Sequence, residues 1–475
     1  MNHLKNKTKI VATLGPASSS KERITELIRN GVNVCRLNFS HGKHEDMKDM
    51  ISTIRSVDRE LGTFTAVLAD LQGPKIRVGE MENGSVHLIN GSKVSITTNE
   101  MTGNAERFFL NYEHFPRDVK KGEQILIDDG KLALKIIESD GKTEVKAEVI
   151  HGGTLSSRKG VNLPNTHISL HCITEKDSRD LEFILQLDVD WVALSFVRRA
   201  DDLRELRNKI KEADREIKII AKVEKPQAVR NLDEIIEETD GVMVARGDLG
   251  VEIPMQEVPL IQKNIVRKCQ RASKPVIIAT QMMESMIDNI SPTRAEVNDV
   301  ANAVMDGADA VMLSGETSVG KFPVEVIKNM YKILIEVEGF EGIYYKEFEP
   351  EFVRDRFISD NICFSAVRVS KRTAAKAIVT MTFSGYTAYK VSSFRPKSDV
   401  FVFTGNVKLL NAMSLVWGTR AFFYDKFVST DQTIDDIKFT LKKKGFIIDD
   451  DLIINIASMP IADKGKSNML RITEV

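Results

Sequence analysis

A lysine and a glutamate stand two residues apart at the end of an apolar stretch of the sequence. The run IIAKVEKP, residues 219–226, begins as a buried β-strand would and then places Lys222 and Glu224 where apolar residues should continue. Side chains alternate between faces along a strand, so these two point the same way. Burying such a pair is costly unless it has a use, although a plain salt bridge at a strand end would also explain it.

Charged and hydroxyl side chains recur at the ends of the other apolar runs. In a barrel of alternating strands and helices, catalytic groups come from the C-terminal ends of the strands. The residues at these ends are Arg36, Asn38, Ser40, Asp70, Arg246, Asp248, Thr280, Ser314 and Glu316. The pattern therefore favours one polar barrel mouth over a scatter of unrelated salt bridges.

The residue types at this mouth indicate phosphoryl transfer. Glu224 and Asp248 could hold one hard cation together with substrate oxygens and waters, which describes a Mg2+ site. No His or Cys stands near them, which disfavours zinc. Further cations are expected around the metal: Arg36, Arg77, Lys159 and Lys222. Carboxylates, Mg2+ and cations without an evident general base fit a reaction that depends on positioning and charge neutralisation.

Eight β-branched runs, each followed by a helix-period segment, must position these groups. They are KIVATLG (9–15), VNVCRLNFS (32–40), TAVLADL (65–71), WVALSF (191–196), KIIAKVE (218–224), GVMVARGDL (241–249), PVIIATQ (275–281) and DAVMLSGET (309–317). Near-continuous apolar strands that alternate with helices indicate a parallel sheet covered on both faces. Eight such units predict an α/β fold, a (β/α)8 TIM barrel.

Two further domains are predicted around this barrel. Short strands bounded by Gly, Asn and Asp turns follow the third run, and a second strand–helix alternation follows residue 340. The predicted division is 1–73 and 169–342 for the barrel, 74–168 for an inserted small β-barrel lid, and 352–475 for a C-terminal α/β domain. The sheet of the last domain is expected to be doubly wound.

Composition excludes several classes of function. The chain has 475 residues and a net charge of −1, so neither a nucleic acid nor a membrane is expected as a partner. The N-terminal residues contain no apolar run typical of a signal-peptide core, and no apolar run in the sequence is long enough to span a membrane. The four cysteines are scattered. Isolated thiols without an export signal suggest the reducing cytoplasm as the location.

Eight motifs stand in a fixed order from about residue 7 towards the C-terminus. They are TKIVATLGPAS, NVCRLNFSHG, GPKIRVGE, KGVNLP, IIAKVEKPQAVRNLDEI, VMVARGDLGVEIP, ATQMMESM and SPTRAEVNDVANAVMDGADAVMLSGET. Together with the closing α/β domain they resemble the pyruvate kinase family of the bacterial type. The resemblance implies phosphoryl transfer from phosphoenolpyruvate to ADP, giving pyruvate and ATP as the final step of glycolysis. It also implies Mg2+, with Mn2+ as a substitute, and an allosteric homotetramer.

The resemblance implies roles for individual residues. Lys222 matches the lysine that stabilises the transferring phosphoryl group, and Glu224 and Asp248 match the Mg2+ ligands. Thr280 matches the hydroxyl near the enolate carbon, with a role in its protonation, and Arg36 contacts phosphate. Backbone donors for the substrate carboxylate come from Gly247 and Asp248. The nucleotide side matches Asn38, His41, Arg77 and Lys159.

One departure from the family concerns a monovalent cation. Most relatives read DTKGPEIR where this chain has DLQGPKIR, residues 70–77. Those relatives bind K+ through the residues that match Asn38, Ser40, Asp70 and the carbonyl of Leu71. Lys75 replaces their glutamate and could put an ammonium where K+ would supply charge, which predicts activity without K+. Alternatively, Lys75 is a solvated residue at the hinge of the lid and has no role in place of the cation.

The segment MTFSGYTAYK, residues 381–390, matches the effector loop of the family. Thr382, Ser384, Gly385 and Thr387 could cradle a phosphate at a helix start, and Lys464 could add a positive charge. Phe383 and Tyr386 stand where some fructose-bisphosphate-regulated relatives have Lys and Arg. A degenerate site and a site for a monophosphate effector are both open.

Two other functions are weighed against the kinase. A non-catalytic regulatory relative would be expected to lack Lys222, Glu224, Asp248 or Thr280, and all four are present. Another Mg2+-dependent, enolate-forming barrel enzyme, such as an aldolase or lyase, would lack the inserted and closing domains.

Overall fold

The fold places one barrel between two smaller domains. The computed structural model describes residues 5–40, 42–346, 348–349, 355–426, 428–459 and 465–475. Eight parallel strands close into a barrel, further strands form an inserted domain, and a separate sheet forms the C-terminal domain. The predicted fold class is therefore confirmed.

The first part of the barrel contains β1 (Lys9–Thr13), α1 (Lys21–Asn30), β2 (Val32–Asn38), α2 (His44–Leu61) and β3 (Ala66–Asp70). Every residue of β1 and β3 is buried, as their continuous apolar runs require. Ser20 caps α1 by accepting the N–H of Arg23, and Gly31 ends the helix.

The inserted domain, called the lid below, is built from short antiparallel strands around its own core. Its elements are β4 (Ser85–Leu88), β5 (Lys93–Thr97), β6 (Arg107–Phe109), α3 (Phe115–Asp118), β7 (Gln124–Ile127), β8 (Leu132–Ser139), β9 (Glu144–His151), β10 (Gly153–Ser156) and β11 (Val161–Asn162). They form a six-stranded sheet in the order β11-β7-β8-β9-β5-β6 and a two-stranded sheet of β10 and β4. Alternate residues of β9 are buried, which directs one face of the sheet onto the core.

The second part of the barrel completes the ring. Its elements are α4 (Glu175–Ile184), β12 (Trp191–Leu194), α5 (Ala200–Glu212), β13 (Lys218–Val223), α6 (Pro226–Arg230), α7 (Leu232–Glu238), β14 (Gly241–Ala245), α8 (Arg246–Glu252), α9 (Val258–Ala272), β15 (Val276–Ala279), α10 (Arg294–Asp306), β16 (Ala310–Leu313), α11 (Gly315–Ser318) and α12 (Pro323–Glu338). The closed order is β1-β16-β15-β14-β13-β12-β3-β2. Side chains such as Leu68, Trp191 and Met243 fill the interior.

The C-terminal domain has a sheet covered on both faces. Its elements are α13 (Phe357–Thr373), β17 (Ala377–Met381), α14 (Tyr386–Ser393), β18 (Asp399–Thr404), α15 (Val407–Ala412), β19 (Thr419–Phe423), α16 (Thr430–Lys443), β20 (Leu452–Ala457) and β21 (Met469–Glu474). The order is β19-β18-β17-β20-β21, with β21 antiparallel to its neighbour. Ala412 and Leu415 of this domain pack into the interior core of the barrel. They close its floor, which is the end opposite the barrel mouth.

No helix within the described part of the chain is both long and apolar enough to cross a membrane.

Candidate active site

The ends of β2, β3 and β13 join four of the predicted residues into one chain of charges. Arg36 donates from Nε to Asp70 Oδ2 at 2.7 Å. The ammonium of Lys222 lies 3.3 Å from Asp70 Oδ1 and 2.9 Å from Glu224 Oε1. Asp70 and Glu224 are each only 1% exposed and Lys222 is 9% exposed, so the chain of charges is buried.

Burial and neighbouring charges set the protonation states of this chain. Burial favours the neutral form of Lys222, but Asp70, Glu224 and Asp248 outweigh it and raise the lysine pKa. The pKa of Asp70 is lowered, because Lys222 and Arg36 outweigh the effect of burial. The pKa of Glu224 is raised by burial and then by the charge of Asp248, against the attraction of Lys222. These shifts favour the charged forms of Lys222 and Asp70, and they make Glu224 the member of the chain whose negative charge is least compensated.

Two hydroxyl residues that the sequence analysis missed complete this chain. Lys222 donates to Ser195 Oγ at 2.7 Å, and Ser195 Oγ donates to the carbonyl of Leu71 at 2.7 Å. Arg36 Nη1 donates to Thr13 Oγ1 at 2.9 Å. Thr13 ends β1 and Ser195 directly follows β12, so the strand-end rule applied to every strand would have found both.

A second cluster forms where β14 and β15 end. Helix α8 starts immediately after β14, which brings Gly247 and Asp248 to the mouth. The N–H of Gly247 donates to Thr280 Oγ1 at 2.7 Å. The resemblance to the family implies that this N–H donates to a substrate carboxylate. Here it is paired with Thr280, so a carboxylate would have to take the place of the hydroxyl.

The nucleotide-side residues lie at two places. Asn38 borders a cavity of about 660 Å3 that Pro16, Met50 and Val319 also line. Arg77 and Lys159 lie instead on neighbouring lid segments, since the N–H of Val78 donates to the carbonyl of Lys159 at 2.9 Å.

The lid cations already have partners. Arg77 Nη1 donates to the carbonyl of Arg158 at 3.0 Å, and the ammonium of Lys159 lies 2.8 Å from Asp128 Oδ1. His41 lies outside the described residues.

The four residues predicted to bind a monovalent cation lie around the end of β3, but Lys75 does not join them. Asn38 Oδ1 accepts the N–H of Ser40 at 3.1 Å. Asp70 Oδ1 is buried and lies 3.3 Å from the ammonium of Lys222, with no further hydrogen-bond partner among the described residues. Lys75 is exposed, lies beside Gly160 at the lid hinge, and forms no ion pair with any residue that the structure describes.

Two strand-end residues point to structural uses. Arg246 turns away from the mouth and pairs with Asp299 of α10, with Nη1 and Oδ1 2.6 Å apart. Glu316 is buried and accepts the N–H of Ser314 at 2.7 Å and the N–H of Met283 at 3.2 Å. These contacts fix the rim of the mouth.

The predicted effector loop borders a cavity of about 370 Å3 in the C-terminal domain. Thr382, Ser384 and Thr387 line it, together with Arg356 and Lys466. Gly385 has a φ of +84° and its N–H donates to Thr382 Oγ1 at 3.0 Å, which closes the loop before α14. Tyr386 donates its hydroxyl to Asp360 and stacks under the guanidinium of Arg356. Lys464 lies outside the described part of the chain.

The barrel with a lid, and a mouth that joins carboxylates to buried cations, define a phosphoryl-transfer enzyme. The family description "Pyruvate kinase, barrel domain" matches residues 5–327, and "Pyruvate kinase, alpha/beta domain" matches residues 360–473. The pyruvate kinases of Staphylococcus aureus strains MRSA252 and USA300 are each 42% identical over 469 residues, which is 98% of this chain and 80% of theirs. A crystal structure of a pyruvate kinase from Cryptosporidium parvum has a TM-score of 0.93 at 34% identity, covering 99% of this chain and 96% of that one. The chain belongs to the pyruvate kinase family.

Proposed function

We propose that the barrel mouth transfers the phosphoryl group of phosphoenolpyruvate to ADP. The bond between phosphorus and the enol oxygen breaks, and phosphorus bonds to a β-phosphate oxygen of ADP. The electron pair of the broken bond stays on the enolate, whose C3 carbon takes up one proton to give pyruvate. The observation that carries the proposal is the buried ammonium of Lys222, which lies between two carboxylates beside Arg36.

Lys222 and Arg36 bind and neutralise the transferring group in this proposal. Both are cationic and lie at strand ends, where a phosphate oxygen can replace part of their present carboxylate contacts. Charge that develops in the transition state is then met by donors already in position. Thr280 accepts the N–H of Gly247 where β14 and β15 end, and it is assigned to the side from which C3 is protonated.

Glu224 and Asp248 fit a divalent cation, Mg2+, with Mn2+ as an alternative. Their mutual repulsion, with Lys222 shared between Asp70 and Glu224, leaves negative charge that a further cation would neutralise. The described residues contain no group of three or more His, Cys, Asp or Glu suited to a metal, so substrate oxygens and waters would complete the coordination. When bound, the metal supplies charge neutralisation at the phosphoryl group.

The nucleotide is assigned to the side of the mouth nearest Asn38. The cavity beside Asn38 has apolar walls from Met50 and Val319 and room for a base and ribose. Arg77 and Lys159 would approach the phosphates when the lid closes, which requires Lys159 to leave Asp128.

Turnover without K+ remains our prediction from Lys75. Asp70 Oδ1 is buried and lies 3.3 Å from the ammonium of Lys222, so a further cation at this position, either K+ or a second ammonium, would share the oxygen with Lys222. Lys75 would have to move inward from the lid hinge to supply it. Assays in K+-free buffer test this, with Lys75→Glu as the variant that should acquire K+ dependence. A wild-type enzyme that needs K+ would contradict the prediction.

The effector cavity favours at most one phosphate. The hydroxyls of Thr382, Ser384 and Thr387 are suited to a single phosphate, and Arg356 is already stacked on Tyr386. A nucleoside monophosphate should therefore shift the phosphoenolpyruvate saturation curve more than a sugar bisphosphate. No shift with either compound would identify a degenerate site.

A homotetramer is proposed from the resemblance and from exposed apolar groups. Leu260 on α9 is 72% exposed and Ile358 on α13 is 68% exposed, and β21 is an edge strand. Edge strands and apolar surfaces of this kind are commonly covered by a partner. Light scattering after size-exclusion chromatography measures the assembly directly.

Pyruvate formation from phosphoenolpyruvate, ADP and Mg2+ tests the main proposal. We expect turnover that stops when a chelator removes the metal. Oxaloacetate and aldehydes in place of phosphoenolpyruvate test for a lyase or aldolase. Absence of turnover, with monophosphate and bisphosphate effectors also tried, would favour the non-catalytic alternative.

A further inference from the structure

Thr280 has a backbone conformation that a β-branched residue rarely adopts. Its φ is +71°, and the φ of the next residue, Gln281, is +54°. Two consecutive residues other than glycine therefore lie in the left-handed region. Such a conformation is energetically unfavourable and persists only where surrounding contacts fix it.

Arg246 supplies the contacts that fix this turn. Its Nη2 donates to the carbonyl oxygen of Thr280 at 2.8 Å, and its Nε lies 3.4 Å from the carbonyl oxygen of Ala279. The guanidinium therefore binds the carbonyl oxygens of two consecutive residues, Ala279 and Thr280, where the chain leaves β15 and enters the turn. Arg246 is also the residue before Gly247, whose N–H holds the Thr280 hydroxyl. One residue thus ties the end of β14 to the end of β15.

Asp299 on α10 holds the guanidinium of Arg246 in place. Nη1 donates to Oδ1 at 2.6 Å and Nη2 donates to Oδ2 at 2.7 Å, which is the bidentate geometry. Helix α10 has a fixed start, because Thr293 and Glu296 form a capping box. Asp299 therefore stands on a rigid element.

We propose that Arg246 and Asp299 are positioning residues for the protonation of the enolate. They hold Thr280 in its left-handed conformation and so fix where its hydroxyl lies relative to Gly247. Neither residue is assigned a contact with substrate. The inference rests on the proposed function of the mouth, in which C3 of the enolate takes up its proton from the Thr280 side.

The test compares two substitutions on the same helix. Asp299→Asn removes the charge that holds Arg246, whereas Asn302→Ala removes a side chain of α10 that donates to the carbonyl of Asn298 within the helix. Two rates are measured: pyruvate formation, and exchange of the pyruvate methyl protons with D2O, followed by NMR with Mg2+ and ATP present. The exchange reports the proton step in reverse, without requiring net phosphoryl transfer.

Asp299→Asn should slow methyl exchange by about 10- to 100-fold, since a misplaced catalytic group has an effect of this size. kcat should fall with it, while KM for phosphoenolpyruvate changes less than threefold. Asp299→Glu should restore part of the exchange rate. Asn302→Ala should leave both rates unchanged.

Several results would overturn the inference. Wild-type exchange in Asp299→Asn would do so, as would a rise in KM with an unchanged exchange rate. If Asp299→Asn does not fold, Arg246→Lys replaces it, because lysine keeps the ion pair but cannot bind Asp299 and the Thr280 carbonyl with the same fork. Wild-type enzyme that forms no pyruvate would instead refute the proposed function, whatever the variants do.

Discussion

Both ends of the barrel bury charged side chains, but backbone N–H groups bind both oxygens of the floor carboxylates Glu338 and Asp309, whereas the carboxylates of the mouth contact mainly other charged side chains. At the floor, Glu338 accepts the N–H groups of Lys7 and Thr8, each at 2.7 Å. Asp309 accepts the N–H of Val276 at 3.1 Å and that of Trp417 at 3.1 Å. Backbone groups thus use the lone pairs of the floor carboxylates.

Arg395 is a floor cation that pairs with Asp309. It is 1% exposed, donates to the carbonyl of Gly307 at 2.7 Å and to Asp309 at 2.9 Å, and lies over the ring of Trp417. The contacts join the C-terminal domain to the barrel. They leave no evident role for a ligand.

The mouth differs because its charges do not balance. Three carboxylates, from Asp70, Glu224 and Asp248, act on Lys222, with Arg36 as the second cation. Asp70 Oδ1 lies 3.3 Å from the ammonium of Lys222 and accepts no N–H from the described backbone. The comparison teaches that buried charge indicates chemistry here where carboxylates outnumber the cations that contact them, and structure where backbone N–H groups bind both oxygens of a carboxylate. Variants at the two ends can therefore separate activity from stability.

The largest expected effect is that of Lys222→Met at the mouth. The substitution removes the cation that meets the transferring phosphoryl group, so kcat should fall by about 10^3-fold or more. The fold should remain intact, which circular dichroism checks beside the pyruvate assay. Retained turnover would rule out the role given to Lys222.

Arg395→Met should have the opposite profile. Removing one partner of a buried ion pair leaves Asp309 without its cation and should lower the free energy of unfolding by about 3–5 kcal/mol. Below its melting temperature the variant should keep the wild-type kcat. Urea unfolding and the pyruvate assay on one preparation measure both quantities. A fall in kcat with an unchanged free energy of unfolding would contradict the contrast between the floor and the mouth.

Ser195→Ala should have a smaller effect on rate. A hydrogen bond to a charged group contributes about 1.5–3 kcal/mol, so losing the contact with Lys222 should lower kcat about tenfold. Ser398→Ala is the control, because Ser398 is also buried but donates to the carbonyl of Ala375 in the C-terminal domain. Equal kcat values for Ser195→Ala and Ser398→Ala would show that Ser195 has no role in the reaction.

The smallest effect concerns Lys9, a floor lysine whose ammonium donates to the carbonyl of Thr419. Burial, and then the charge of Arg420, lower its pKa to about 7. Between pH 7 and pH 10 the unfolded chain therefore holds a proton that the folded chain has released. The free energy of unfolding of the wild type should rise with pH relative to that of Lys9→Met, by at most about 1.4 kcal/mol per pH unit. If the two free energies of unfolding differed by the same amount at pH 7 and pH 9, this prediction would be wrong.

The sequence predicted the barrel and most of its mouth because both follow from local pattern. Runs of six to nine residues found all eight barrel strands, and their ends carried Arg36, Asp70, Lys222 and Glu224. Strands β6 and β11 have only two or three residues, too few for an alternating pattern to mark them. No apolar face marks β21 either, because none of its residues is buried.

Other features depend on contacts between distant parts of the chain. The direction of Arg246 is set by Asp299, 53 residues away, and the left-handed Thr280 follows from it. The strand-end rule therefore put Arg246 among the mouth residues, although its guanidinium faces α10. The position of Lys75 likewise depends on how the lid meets the barrel.

The most direct test asks whether the excess of carboxylates over cations at the mouth forms the metal site. It measures binding of Mn2+ in the presence of phosphoenolpyruvate by electron paramagnetic resonance. The matched variants are Glu224→Gln at the mouth and Glu338→Gln at the floor. Backbone N–H groups bind both oxygens of Glu338, whereas Glu224 binds one N–H, that of Phe196, and the ammonium of Lys222. We expect Glu224→Gln to weaken binding at least about tenfold, which is 1.4 kcal/mol, and Glu338→Gln to bind Mn2+ as the wild type does. Equal affinities in all three proteins would contradict the account.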